Sequence, residues 1–147
     1  HRRLEFRRVL FRSGLATFNR VVRPDSDGKV GQVRAIKLDD RTEAWMYRQY
    51  APVTTSTLPT GGGLVFAGTL DRKLLAFDDT TGAVLWTSPS FTNSIESFPI
   101  TYAVNGKQYI AVVTNWSSGL GRLKLITPDI QLPAHNPHEV YVFAVPN

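Results

Sequence analysis

Few residues in this chain have the types and spacing that chemistry requires. Glu96 is the only carboxylate in the segment Asn93-Ser94-Ile95-Glu96-Ser97. It is an ion ligand, a hydrogen-bond acceptor or a solvated loop acid, and the lack of a paired carboxylate beside it favours the last. His135 and His138, in His-Asn-Pro-His, have a spacing that can chelate a metal, but Pro137 and the missing third ligand favour an exposed pair. Thr60-Gly61-Gly62-Gly63 has no following Lys-Ser/Thr or helix, so it reads as a turn leading into a strand and not as a phosphate cradle. The chain has no Cys, which excludes disulfides, thiolate metal sites, covalently attached c-type haem and cysteine nucleophiles within its 147 residues.

The elements that would position these groups belong to an ordinary globular composition, 42% hydrophobic and 20% charged over 147 residues. No run approaches the roughly 20 apolar residues of a membrane-spanning helix, and no signal-peptide core is visible. The net charge of +5 would suit an anionic partner, but its placement argues against nucleic acid. Arg2, Arg3, Arg7, Arg8 and Arg12 against Glu5 leave +4 in residues 1–13 and only +1 in the remainder. Elsewhere basic and acidic residues interleave, as in Asp71, Arg72, Lys73 and Asp78, which is a solvated surface. Back-translated, residues 4–13 (Leu-Glu-Phe-Arg-Arg-Val-Leu-Phe-Arg-Ser) resemble a sequencing-library adapter. The expectation is that residues 1–13 are non-native and that residues 14–147 are an N-terminally truncated domain.

Short strand-like runs separated by turn signals dominate, and no helical periodicity lasts beyond about two turns, so the chain reads as all-β. Residues 31–38 and 42–50 form a hairpin in which Val33 and Ala35 alternate with Arg34 and Ile36. Residues 62–70, 73–79 and 83–88 form a meander, with Gly82 at a positive-φ turn position. Residues 99–104 and 107–114 flank Asn105-Gly106, the strongest short hairpin signal, because a type I′ turn requires positive φ twice. A stretch of about 24 residues from Asn115 to His138 is long enough to have its own role. Trp116, at its start, either lines a substrate approach or covers the domain's base. Residues 139–146 close the chain as a last strand.

An internal repeat sets the architecture. Ala35 precedes Trp45 by ten residues, Ala76 precedes Trp86 by ten, and the two Trp are 41 apart. A period of that size with several short strands per unit marks a β-propeller blade array. A third unit is expected to be reduced to its final strand, Val142-Phe143-Ala144. Within the repeat, Asp78 and Thr81 can hydrogen-bond the turn before Gly82, and each Trp buries its ring while its N–H seeks a carbonyl.

The segment AFDDTTGAVLW (76–86) resembles the tryptophan-docking repeat of quinoprotein propellers, and AIKLDDRTEAW (35–45) resembles a degenerate copy with Arg41 where Gly is expected. In order along residues 24–147, DGKVGQVRAI, APVTTSTLPTGGGLVFAGTLDRKLLAFD, FPITYAVNGKQYIAVVT and PDIQLPAHNPHEVYVFAVP resemble the C-terminal end of the pyrroloquinoline-quinone (PQQ)-dependent alcohol dehydrogenases. The resemblance implies two to three four-stranded antiparallel blades of an eight-bladed propeller. It also implies a periplasmic enzyme that passes a hydride from an alcohol or sugar to PQQ beside a calcium or lanthanide ion, with a cytochrome c or quinone as electron acceptor.

By that resemblance the base and ion ligands lie mostly upstream, and none can be placed on this sequence. Two cofactor-facing loops remain, which make Thr54, Thr55, Ile95 and Glu96 the expected cofactor-binding residues. Thr54 stands where methanol-dehydrogenase-like members carry a Trp, and its hydroxyl and that of Thr55 are expected to reach a cofactor carboxylate. In the second loop Ser94 and Ser97 replace family glycines, so that loop is either looser or adapted to another substrate. A non-catalytic propeller scaffold carrying the same repeats is the alternative, since one fold hosts both uses.

Overall fold

A computed structural model describes residues 21–115, 121, 123–133 and 138–144. The adapter-like stretch, Trp116 and His135 lie outside these residues. Among the described residues a 3-10 turn, Pro24–Ser26, precedes nine strands: β1 Gly31–Ile36, β2 Glu43–Gln49, β3 Leu58–Pro59, β4 Leu64–Thr69, β5 Lys73–Asp78, β6 Val84–Thr87, β7 Ile100–Val104, β8 Lys107–Thr114 and β9 Glu139–Ala144. They form three antiparallel sheets with strand orders β1-β2, β3-β4-β5-β6 and β7-β8-β9. The all-β expectation holds, and so do both expected hairpins and the meander. Asn105 and Gly106 take φ values of +50° and +77°, as the type I′ turn demands.

The middle sheet explains why β4 and β5 read as near-continuous apolar runs. Their side chains alternate faces, and both faces are covered. Ala67, Leu75 and Phe77 pack with Val33 and Trp45 of the first sheet. Phe66, Leu74 and Ala76 pack on the other side with Phe91, Ile95, Ile110 and Val112. The sheets therefore stack in series, as consecutive blades of a partial propeller do.

The repeat is exact in register where it is visible in sequence. Ala35 opposes Trp45 and Ala76 opposes Trp86, and a β-bulge follows each Ala. Lys37 N–H donates to the Thr42 carbonyl at 2.9 Å, and Asp78 N–H to the Ala83 carbonyl at 2.9 Å. Strands β1 and β2 thus correspond to β5 and β6. Isolated bridges Val53–Thr69 and Ile95–Thr114 occupy matching places ahead of β3 and β7. By that match β7-β8-β9 correspond to β3-β4-β5. The third unit is therefore not reduced to its final strand: it includes the Asn105-Gly106 hairpin, which pairs through β8 with β9.

Trp45 shows how neighbouring units are joined. Its ring lies against Gly82, where a Cβ would come within 2.5 Å of the indole. Its Nε1–H donates to the Asp79 carbonyl at 2.7 Å. The turn that receives it is built as expected: Asp78 Oδ1 accepts from Thr81 N–H at 2.7 Å and from Thr80 N–H at 3.0 Å, and Gly82 has φ +72°. Trp86 meets Phe143 edge-on at 5.2 Å and is 38% exposed against 9% for Trp45. The far side of the third sheet leaves Ile100, Tyr102, Val104, Val113, Val140 and Val142 exposed.

Candidate functional site

Two loops that lead into the second and third sheets lie at one end of the stack. Val53 bridges Thr69, and Thr54 N–H donates to the Gly68 carbonyl at 2.9 Å, so residues 53–54 run along the end of β4. Gly68 permits this approach, because a Cβ there would meet Thr55 Cγ2 at 2.6 Å. Ile95 bridges Thr114, and Asn115 N–H donates to the Ser94 carbonyl at 3.0 Å, which lays the second loop along the end of β8. Thr69 and Thr114 are the C-terminal residues of their strands. Both loops therefore gather where these strands end.

The structure brings the four sequence-expected residues together. Thr54 Oγ1 donates to the Ile95 carbonyl at 2.6 Å, which links the two loops directly. Thr55 Oγ1 donates to the Ser56 carbonyl at 2.7 Å and accepts the Gly68 N–H at 2.8 Å. Ile95 is fully buried and its side chain belongs to the core between the second and third sheets. Glu96 is half-buried beside it. A hydroxyl has one proton, so both threonine hydroxyls spend their donor inside the protein.

The second loop is pinned rather than loosened by its serines. Ser94, fully buried, donates to the Leu70 carbonyl at 2.8 Å. Ser97 Oγ donates to the Val113 carbonyl at 2.8 Å and accepts the Val113 N–H at 3.0 Å, as a strand neighbour would. At the loop's start, the hydroxyls of Thr92 and Tyr141 both donate to Glu139 Oε2. The Thr92 bond first, then the Tyr141 bond, hold the Glu139 carboxyl below the usual carboxylate range.

Asn115 escaped sequence reasoning altogether. Its Oδ1 is buried without a hydrogen-bond partner, and its backbone N–H fixes it beside Ser94. No sequence signal singles it out from other loop asparagines. His138 is exposed, and among the described residues no cluster of three His, Cys, Asp or Glu could hold a metal ion. No helix among them is long and apolar enough to cross a membrane.

Residues 27–110 match the family profile of the PQQ-type glucose/ethanol/alcohol dehydrogenase β-propeller domain. The chain belongs to this quinoprotein dehydrogenase family. It is 34% identical over 123 residues to 1-butanol dehydrogenase (cytochrome c) of Thauera butanivorans, a match covering 84% of this chain and 17% of that protein. It is 35% identical over 102 residues to quinohemoprotein alcohol dehydrogenase of Comamonas testosteroni, covering 69% of this chain and 14% of the relative. Among solved structures, a europium-containing methanol dehydrogenase superposes with a TM-score of 0.60 at 28% identity, covering 71% of this chain and 21% of the other. The matched stretch is thus under a fifth of the length of the butanol dehydrogenase and the quinohemoprotein alcohol dehydrogenase.

Proposed function

We propose that the complete protein is a periplasmic quinoprotein dehydrogenase that oxidises an alcohol or a sugar and passes electrons to a cytochrome c or quinone. In this reading residues 14–147 are the C-terminal blades of its propeller, residues 1–13 are not native, and the chain by itself is inactive. The observation that carries it is the family match over residues 27–110, together with the convergence of two loops at one end of the stacked sheets. The cytochrome c-linked butanol dehydrogenase among the relatives supports the acceptor class. The europium-containing methanol dehydrogenase supports a metal beside the quinone, calcium or a lanthanide. A further blade would cover the apolar far side of β7-β8-β9.

The expected ligands and the observed loops differ in one respect. A quinone carboxylate needs donors, and the protons of Thr54 and Thr55 are already given to Ile95 and Ser56. These two hydroxyls do not fit a carboxylate-holding role. Thr54 ties the two loops to each other and Thr55 holds the first of them to Gly68, and the loops' edge would form one wall of the site. Asn115 Oδ1 has unmet capacity at the junction; as an acceptor it suits a cation or an N–H. PQQ, when bound, supplies the hydride acceptor.

The test is to express the full reading frame, supply PQQ with calcium or a lanthanide, and follow substrate-dependent dye reduction over a panel of alcohols and sugars. Reduction with at least one of them is expected. Tight quinone binding with no reduction on any substrate would leave a scaffold role as the better reading.

A further inference from the structure

A cavity of about 460 Å3 opens beside the β4–β5 turn, and none of Thr54, Thr55, Ile95 and Glu96 lines it. Its polar lining is Gln49, Tyr50, Asp71, Arg72, Asp129 and Gln131, drawn from three separate stretches of chain. Ala51 and Ile130 complete it and belong to a small apolar cluster with Leu70. The volume lies within the range of small-molecule sites.

Arg72 is the unusual residue in this wall. It has φ +67°, a conformation that L-residues rarely adopt and that glycine adopts freely. The turn itself does not need an arginine: its N–H donates to the Thr69 carbonyl and its carbonyl accepts from Phe91 N–H, both backbone bonds. Arg41 has a similar φ of +60° but is exposed in a turn. Arg72 instead lines a cavity, and its buried Nε has no acceptor. A guanidinium kept at a strained position against a cavity is an observation that calls for a ligand.

The remaining groups specify which. Tyr50 donates to Asp129 Oδ2 at 3.1 Å, so this carboxylate is positioned and its other oxygen still accepts. Asp71 takes the Thr69 hydroxyl on Oδ1 at 2.6 Å, and Lys73 Nζ stands 3.9 Å from its Oδ2. Two carboxylates are thus offset by Arg72 and Lys73, and the balance is neutral. Acceptors on the aspartates, donors on Arg72 and both functions on Gln131 match groups that donate and accept at once. Adjacent hydroxyls do this. A simple anion would leave the aspartates opposed to it, and a simple alkanol has one hydroxyl for several partners.

We propose that this cavity is a binding site for a small neutral polyhydroxyl ligand, a saccharide or other polyol, with Arg72, Asp129 and Gln131 as its hydrogen-bonding groups. The site stands whether or not the protein oxidises alcohols.

The test is ligand-observed NMR titration of the full-length protein, without quinone or metal, with glucose and glycerol, and with ethanol, glycine and acetate as comparators. Glucose is expected to bind in about the millimolar range. The Arg72→Gly variant is the informative one, because glycine is at ease at this φ and the fold should be kept or stabilised. It is expected to weaken glucose binding by roughly tenfold or more, as is Asp129→Asn, with the melting temperature not lowered by Arg72→Gly. Absence of saturable glucose binding, equal affinity in Arg72→Gly, or tighter binding of glycine or acetate than of glucose would each overturn the proposal.

Discussion

The indole Nε1–H of Trp45 donates to the carbonyl of Asp79 at 2.7 Å, across the boundary between the first and second sheets. The bond joins residues 34 positions apart, and the same ring stacks with Phe77 at a centroid separation of 6.2 Å. Packing and hydrogen bonding are therefore combined in one side chain. Trp45→Ala should destabilise the folded full-length protein by about 3–5 kcal/mol through the cavity it leaves. Trp45→Phe retains most of the apolar contact and strands the Asp79 carbonyl, at a cost of about 1–3 kcal/mol. Denaturant unfolding of both variants checks the order; no loss in Trp45→Phe would mean that the hydrogen bond contributes nothing, and equal losses that the packing contributes nothing.

Gly82 and Gly106 separate two reasons for glycine. Both have positive φ, +72° and +77°. A Cβ on Gly106 meets nothing within 4 Å, whereas one on Gly82 would sit 2.5 Å from Trp45. Gly106→Ala should cost about 1–2 kcal/mol of backbone strain alone. Gly82→Ala should add about 1–3 kcal/mol of overpacking to a similar strain. In the double variant with Trp45→Ala that added part should vanish, and a thermodynamic cycle on unfolding free energies measures it.

What was legible in the sequence and what was not follows from how local each signal is. Asn105-Gly106 specified its hairpin because the turn's φ requirement is met by two adjacent residues. The Ala–Trp spacing specified register because both residues sit on one hairpin. Arg41 at φ +60° confirms that the sequence located a glycine-type slot even where the residue departs from it. The third unit was under-read because the Trp markers sit on β2 and β6, whereas β7 and β8 correspond to β3 and β4, which carry no Trp. At the loop junction, proximity was readable from motif order, but the direction of the Thr54 and Thr55 protons was not, since each goes to a backbone carbonyl that no side-chain pattern announces. The Arg72 cavity was invisible for a stronger reason: residues 49–51, 71–72 and 129–131 are brought together only by folding.

Acid should act on the turns and loop ties. The Asp78 carboxyl is held below its ordinary range, first by the Thr81 hydroxyl and then by backbone N–H groups of Thr81 and Thr80. The Glu139 carboxyl is held down by Thr92 and then Tyr141. A carboxylate whose folded pKa is depressed contributes stability that is present above its unfolded pKa and lost as pH falls through the folded value. Stability should therefore decline below the ordinary carboxylate range, and little from these groups should change between neutral pH and pH 5. Asp78→Asn and Glu139→Gln should each flatten part of that acid limb in melting temperature against pH. An unchanged limb in the double variant would show that other groups control it.

Thr54→Val tests whether the junction is a tie or a cofactor donor. Valine keeps the β-branched shape and removes the hydroxyl, leaving the Ile95 carbonyl without the bond it now receives at 2.6 Å. Loss of that bond should cost about 1–3 kcal/mol, with faster amide hydrogen exchange concentrated in residues 93–97. Thr54→Ser should restore both, because the donor returns. If the hydroxyl instead served a quinone carboxylate, Thr54→Val would weaken quinone binding while leaving exchange in that loop unaltered in the cofactor-free protein. The two outcomes differ in a measurement made before any cofactor is added. The structure predicts the first, because Thr54 has a single hydroxyl proton and the Ile95 carbonyl already holds it.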